Sequence, residues 1–279
     1  MAILCGPFCR PDQAGRKLFF LNPCRLEYDS PPNFRPPVSS AEHDPVSAPI
    51  DVVAIDGPSG AGKSTIAKAV AHRLGFRHLD TGAMFRAVTR HFLDHGCAPD
   101  PTGSDSHEKG PRMQAALAGM RLEMPPTGRV LVNGLDVTDS LRTPDVESRV
   151  SAVAALPFVR VEMKRMQRDV AAASPIVAEG RDMTTAVFPN AKWKVYLTAT
   201  AHERARRRCE DFRKRGREVA FETVLAEIEA RDLFDSTRED APLRHVPSAQ
   251  LVDSTSMTTE AVVQRILDLV RAADTAARA

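Results

Sequence analysis

Residues 50–65 read IDVVAIDGPSGAGKST. Ile50 to Ile55 is a short apolar run rich in Val and Ile, the composition of a buried strand. Gly57, Pro58, Ser59, Gly60, Ala61, Gly62, Lys63 and Ser64 then spell G-x-x-x-x-G-K-S, and Thr65 leads into Ile66, Ala69, Val70 and Leu74 at helical spacing. Strand, glycine loop and helix stand in the order that a phosphate-binding loop requires. Glycines let the backbone close on a phosphate with several N–H groups pointing inward. The positive end of the following helix faces the same anion. The motif puts Lys63 at the β- and γ-phosphates and the Ser64 hydroxyl on a magnesium ion. A chance glycine-rich turn would lack the apolar strand on one side and the periodic helix on the other. The stretch therefore predicts a site for a nucleoside triphosphate with Mg²⁺.

The rest of the composition sets bounds without adding chemistry. The chain has 279 residues, enough for one large domain or two small ones. Apolar content of 43% and charged content of 27% are ordinary for a globular protein, and a net charge of +2 gives no global bias toward nucleic acid or membrane. No stretch approaches the roughly 18 apolar residues of a membrane-spanning helix. The longest apolar run near the N-terminus, Leu18 to Leu21, is too short for a secretory signal core. Five cysteines is an odd count, and without an export signal they read as reduced thiols. Cys5, Cys9 and Cys24, with His43 beyond, match no compact zinc spacing.

Residues 1–48 differ in texture. They are proline-rich, with Pro31-Pro32 and Pro36-Pro37, and lack periodicity. They read as a disordered leader, or as sequence upstream of the true start. The basic residues Arg10, Arg16, Lys17, Arg25 and Arg35 are mixed with acids, unlike an organelle transit peptide. From residue 49 onward strands and helices alternate. Strands are expected at 76–80, 176–180, 192–199 and 250–253, and helices at 82–95 (Gly96 as cap), 112–119, 144–153, 157–173, 201–215, 220–231 and 259–273. Residues 98–111 read as a loop. RLEM (121–124) and RVLVNGLDVTD (129–139) give two or three short antiparallel strands, with turns at Thr127-Gly128 and Asn133-Gly134. The expected fold is α/β: a P-loop three-layer architecture with a five-stranded parallel sheet, a small antiparallel insert (106–150) and a helical lid (204–240), all within 49–279.

No N-K-x-D is present to read guanine. The apolar run of IVAEG (176–180) is closed by Glu179, which keeps a motor-type ATPase only weakly in view. Arg86, Arg181, Arg231 and Arg238 follow strand or helix ends, where ligands bind in open sheets. Arginine's planar, permanently charged fork suits a moving phosphoryl group. Taken singly, each of these arginines would more often be a solvated surface residue.

LDTGAMFRAV (79–88), SAVAALPFVR (151–160), AEGRDMTTAVFP (178–189) and EARDLFDSTREDAPL (229–243), together with IDGPSGAGKST, closely resemble the signature stretches of bacterial cytidylate kinases. The resemblance runs in order from about Ile50 to Arg271. It implies ATP, magnesium and a pyrimidine monophosphate acceptor. Thr81 matches a position near the bound pyrimidine nucleotide, and Arg86 one that grips the acceptor phosphate. Ser151, Arg160 and Asp182 match the residues that read cytosine. Arg181, Arg231 and Arg238 match arginines around the phosphates, Asp235 a carboxylate near the acceptor ribose, and Arg207 a lid residue on the donor side. Asp182 has a plainer reading as an ion pair with Arg181. The run RARRRCEDFRKRGR (204–217) reads as lid rather than nucleic-acid patch, because it carries Glu210 and Asp211 and no aromatic ladder. Glu179 stands where some relatives carry Asp, which leaves a water-mediated magnesium role open. The expectation is a cytoplasmic, monomeric kinase for CMP and dCMP with no nucleic-acid or membrane partner. The alternatives are a P-loop kinase for UMP or another small acceptor, and a nucleic-acid-dependent ATPase.

Overall fold

The computed structural model describes residues 50–214 and 216–276; the predicted leader and Cys5, Cys9 and Cys24 lie outside the described residues. Strand β1 (Ile50–Asp56) runs into the glycine loop and α1 (Lys63–Leu74), followed by β2 (Arg77–Asp80) and α2 (Thr81–Asp94). Helix α3 (Ser106–Ala118) precedes three two-residue strands, β3 (Leu122–Glu123), β4 (Leu131–Val132) and β5 (Leu135–Asp136). Helices α4 (Pro144–Ala155) and α5 (Pro157–Ala173) lead to β6 (Ile176–Gly180), a π-helical turn at Met183–Val187 and β7 (Ala191–Thr198). Helices α6 (Ala201–Lys214) and α7 (Phe221–Thr237), strand β8 (Gln250–Asp253) and α8 (Thr259–Ala276) complete the chain.

The main sheet is five-stranded, in the order β2-β6-β1-β7-β8, with every pairing parallel. Successive side chains of a strand face opposite sides of a sheet. Val52 and Ala54 accordingly join Phe92, Met113, Val159 and Met163 on one face, while Val53 and Ile55 join Ile66, Val70, Val263 and Ile266 on the other. Both faces are covered by helices, which is why β1 reads as an unbroken apolar run. The register sets Asp80 beside Glu179, and Asp56 beside Gly180 and Tyr196. The carboxyl ends of three adjacent strands thus lie at one edge, where open α/β sheets bind ligands.

The antiparallel pieces form a separate three-stranded sheet with its own small cluster of Val130, Val132 and Leu141 against Ala87. Asn133 (φ 51°) and Gly134 (φ 81°) both take positive φ between β4 and β5, the requirement of a type I′ hairpin turn. Helices α6 and α7 pack as a pair around Ala205, Val224 and Ile228.

Three expected boundaries are corrected. Residues 106–111, the end of the polar Gly/Pro/Ser/Asp stretch 98–111 read as loop, are helical: Asp105 pairs with Lys109 at 2.6 Å, and Lys109 also donates to Ala98 O, which secures a first turn before Pro111. Helix α7 does not break at Arg231 but continues to Thr237, since RDLFDST contains no breaker and Arg238 is the cap. Helix α2 is capped by His95, with Gly96 one residue beyond. Gly96 N bonds Leu93 O and Cys97 N bonds Phe92 O, the paired closure of a Schellman motif.

Candidate active site

The glycine loop is fixed from below and behind. Gly57 has φ 153°, and a Cβ there would stand 1.9 Å from Leu197 O of β7, so no side chain fits. Gly62 takes φ 87° and opens α1 without a side-chain cap, leaving the first helical N–H groups for an anion. Arg204 of α6 donates from Nη1 to Ser59 O at 3.0 Å and from Nε to Ala199 O at 2.9 Å, and pairs with Asp232 of α7 at 2.7 Å. One buried guanidinium therefore ties the loop to both α6 and α7.

Lys63 is buried and folds back on the loop, with Nζ donating to Gly57 O and Pro58 O, each at 2.7 Å. Burial, then Arg181 nearby, pulls its pKa well below the ordinary lysine value, against the pull of Glu179, Asp56 and Asp235. Ser64 donates through Oγ to Glu179 Oε2 at 2.9 Å, and the other oxygen of Glu179 meets His78 Nε2 at 3.0 Å. This donor set suits magnesium. A serine hydroxyl and one carboxylate are hard oxygen donors, and no cluster of three His, Cys, Asp or Glu that could cage a metal exists among the described residues. Mg²⁺ keeps several waters and takes its remaining ligands from phosphates.

Asp56 closes β1 and is fully buried. Its carboxylate accepts from Met183 N, Thr184 N and the Thr184 hydroxyl at 2.6–2.8 Å, and so holds the π-helical turn that follows Asp182. Burial pushes its pKa up to about 6, against the hydrogen bonds from Thr184 and Met183. A carboxyl raised from 3.8 to about 6 adds stability below pH 4 that is lost as pH rises through 6. The full swing is about 3 kcal/mol. Asp56→Asn lacks this term, so its destabilisation relative to wild type should shrink by roughly that amount between pH 4 and pH 7. Chemical denaturation of both proteins across that range checks it, and a gap independent of pH would contradict it.

A cavity of about 680 Å³ lies along the carboxyl edge of the sheet. Its lining includes Ser59, Gly60, Ala61, Gly62, Lys63, Ser64 and Thr65 at one end, Thr81, Arg86, Ser151, Arg160, Arg181 and Asp182 at the other, and Arg207 of α6 with Arg231, Asp235 and Arg238 of α7 and its cap. Every residue picked from the sequence is therefore on its wall except Gly57 and Pro58, which lie beneath it and receive Lys63. Thr81 donates to Glu179 O at 2.6 Å.

The charges pair in a pattern the sequence did not suggest. Asp182 does not bind its neighbour Arg181; it meets Arg160 Nη2 at 2.5 Å and lies 4.0 Å from Arg238. Arg160 also reaches Asp240 at 2.7 Å. Arg181 turns to Asp235 at 2.8 Å. Burial works to raise Asp235's pKa, but Arg181 and Arg231 outweigh it and hold the carboxyl below its usual range. Arg207 is anchored to Glu203 and to the hydroxyl and carbonyl of Ser254, just past β8.

Several lining residues escaped the sequence reading. Arg208 was one of three consecutive arginines, and the available signal was its four-residue spacing from Arg204, which puts both on one face of α6. Arg142 and Ser254 carried no local signal at all.

A model of the cytidylate kinase family matches residues 53–272. The cytidylate kinase of Carboxydothermus hydrogenoformans is 42% identical over 219 residues, covering 78% of this chain and 96% of that protein. That of Geobacillus kaustophilus is 46% identical over 224 residues, covering 78% and 95%. A bifunctional pantoate ligase/cytidylate kinase from Synechococcus sp. strain WH7803 is 45% identical over 225 residues; the match takes in 79% of this chain but only 44% of that longer protein. A phosphate loop, a facing set of arginines and a matched family model that spans both halves of the cavity agree: the chain belongs to the cytidylate kinase family.

Proposed function

We propose that the protein transfers the γ-phosphoryl group of ATP to CMP and dCMP, giving the diphosphates. The observation that carries this reading is the convergence of the phosphate loop and the acceptor-type residues on one cavity. The loop end takes the donor. In the other half, Arg86, Arg181 and Arg231 bind the acceptor's phosphate, Asp235 its ribose, and Ser151, Arg160 and Asp182 its base. Cytosine offers an amino donor to a carboxylate, while its N3 and O2 accept from Arg or Ser. Uracil would turn a carbonyl toward Asp182. A buried mismatch of that kind costs about 2–5 kcal/mol.

The attacking oxygen belongs to the acceptor's phosphate and is already ionised near neutral pH, so no side chain is needed as general base. It forms a bond to the γ-phosphorus as the bond to the β–γ bridging oxygen breaks, and the released diphosphate keeps that electron pair. Lys63 and the arginines neutralise charge on the oxygens in flight and align the two phosphates. Ser64 and the adjoining Glu179 would hold magnesium, which when bound supplies positive charge against the phosphate oxygens. Helices α6 and α7 exclude water, which would otherwise take the acceptor's place.

An assay of ADP release with CMP, dCMP, UMP and AMP tests the reading. CMP and dCMP should be turned over best. Activity with AMP and none with CMP would overturn it.

A further inference from the structure

Three helices bring guanidiniums to one carboxylate on a fourth. Glu147, in the first turn of α4, accepts from Arg86 Nε of α2 through Oε1 at 2.9 Å. Its other oxygen lies 3.6 Å from Arg208 Nη2 of α6 and 3.9 Å from Arg231 Nη1 of α7. Neither distance is a hydrogen bond. Glu147 Oε2 is a buried acceptor with no partner, and Arg231 Nε is a buried donor with none. Three guanidiniums therefore converge on a carboxylate that satisfies only one of them, and all three also line the main cavity. Burial works to raise the pKa of Glu147, but Arg86, Arg231 and Arg208 together outweigh it, so the carboxyl stays ionised. Arg231 keeps 24% of its side chain exposed yet is hemmed in on most sides, and is pushed down to about 10, first by burial and then by Arg181. Guanidinium forks match a phosphomonoester better than a carboxylate, because it brings three terminal oxygens and a second charge.

We propose that Glu147 is the resident counter-ion of the acceptor-phosphate site, holding the arginines of α2, α6 and α7 together while the site is empty and opposing every incoming anion, so that it sets acceptor affinity. The inference rests on the assignment of Arg86 and Arg231 to the acceptor's phosphate. A singly charged anion gains little on arrival, since Glu147 already supplies one negative charge. A dianion gains more, because it engages forks that Glu147 leaves unsatisfied. Glu147 is a positioning residue, not a catalytic one. A glutamate in a helix's first turn ordinarily reads as a complement to the helix dipole, which is why the sequence does not single it out.

Calorimetric titration of wild type, Glu147→Gln, Glu147→Asp and Arg86→Gln with CMP and with inorganic phosphate tests this, followed by steady-state kinetics. Glu147→Gln should bind both anions about three- to tenfold tighter and lower the KM for CMP by the same factor, with kcat not raised and the KM for ATP unchanged. The gain should fade as salt rises. Glu147→Asp, which keeps the charge, should stay near wild type. A purely structural glutamate would instead weaken CMP in both variants. If Arg86→Gln loses CMP affinity while Glu147→Gln binds phosphate no more tightly, the role of Glu147 is wrong and the acceptor assignment stands. If Arg86→Gln binds CMP like wild type, the assignment falls and the inference with it.

Discussion

Lys63→Ala is expected to lower kcat/KM by about a thousandfold or more while leaving a folded protein. Removing one preorganised group from a developing charge commonly costs about 10²–10³ in rate, and a single guanidinium on a transferring phosphoryl group is worth about 10³–10⁵. Lys63 is the cation of the loop itself, and its Nζ already rests on the carbonyls of Gly57 and Pro58. Burial and the nearby Arg181 disfavour its charge, so alanine removes an unfavourable buried cation as well as two hydrogen bonds. The loss should therefore appear in turnover and not in the thermal midpoint. Steady-state kinetics beside a melting curve separate the two. A loss below tenfold would contradict the role given to Lys63.

The second large effect concerns choice rather than rate. Asp182→Asn should reduce kcat/KM for CMP about 100-fold and bring UMP level with it or ahead. A carboxylate only accepts hydrogen bonds, whereas an asparagine amide can turn its NH₂ toward the uracil carbonyl. The side chain is already held by Arg160, with Arg238 behind, so a shape-preserving change alters the chemistry of recognition more than its position. Arg160 keeps a second carboxylate in Asp240, which limits the damage to the fold. The KM for ATP should not move. Equal losses for CMP and ATP would show that Asp182 supports the site generally and does not read the base.

The parts of this protein that were legible in the sequence are those governed by local rules. The strand before Gly57, the glycine spacing and the helical periodicity after Lys63 are all short-range, and together they place the phosphate loop. The residues proposed for the acceptor came from resemblance alone, and the structure shows only that they share one cavity wall. What stayed hidden was partner choice among like residues. Nothing local says that Arg181 should pair with Asp235 and leave Asp182 to Arg160, because both pairings are settled by helices distant in sequence. Asp56 is hidden for the same reason: its three donors are more than 120 residues away. The polar Gly/Pro/Ser/Asp stretch at 98–111 misled in the opposite direction. A local breaker was overridden by a turn already anchored through Asp105 and Lys109.

The strand order also bears on how the chain is made. Strand β1 carries the phosphate loop, yet both of its neighbours in the sheet, β6 and β7, arrive only from Ile176 onward. During synthesis, β1 leaves the ribosome with no strand to pair with, and β2 is no help, because β6 must first be inserted between them. The apolar edge formed by Val52 to Ile55 therefore waits unpaired through the emergence of α1 to α5, a long exposure for a sticky segment. The loop gains its flanking strands only once β6 and β7, ending at Gly180 and Thr198, have followed it. A nascent chain halted before β6 would carry the whole G-x-x-x-x-G-K-S motif without the sheet that holds it in shape.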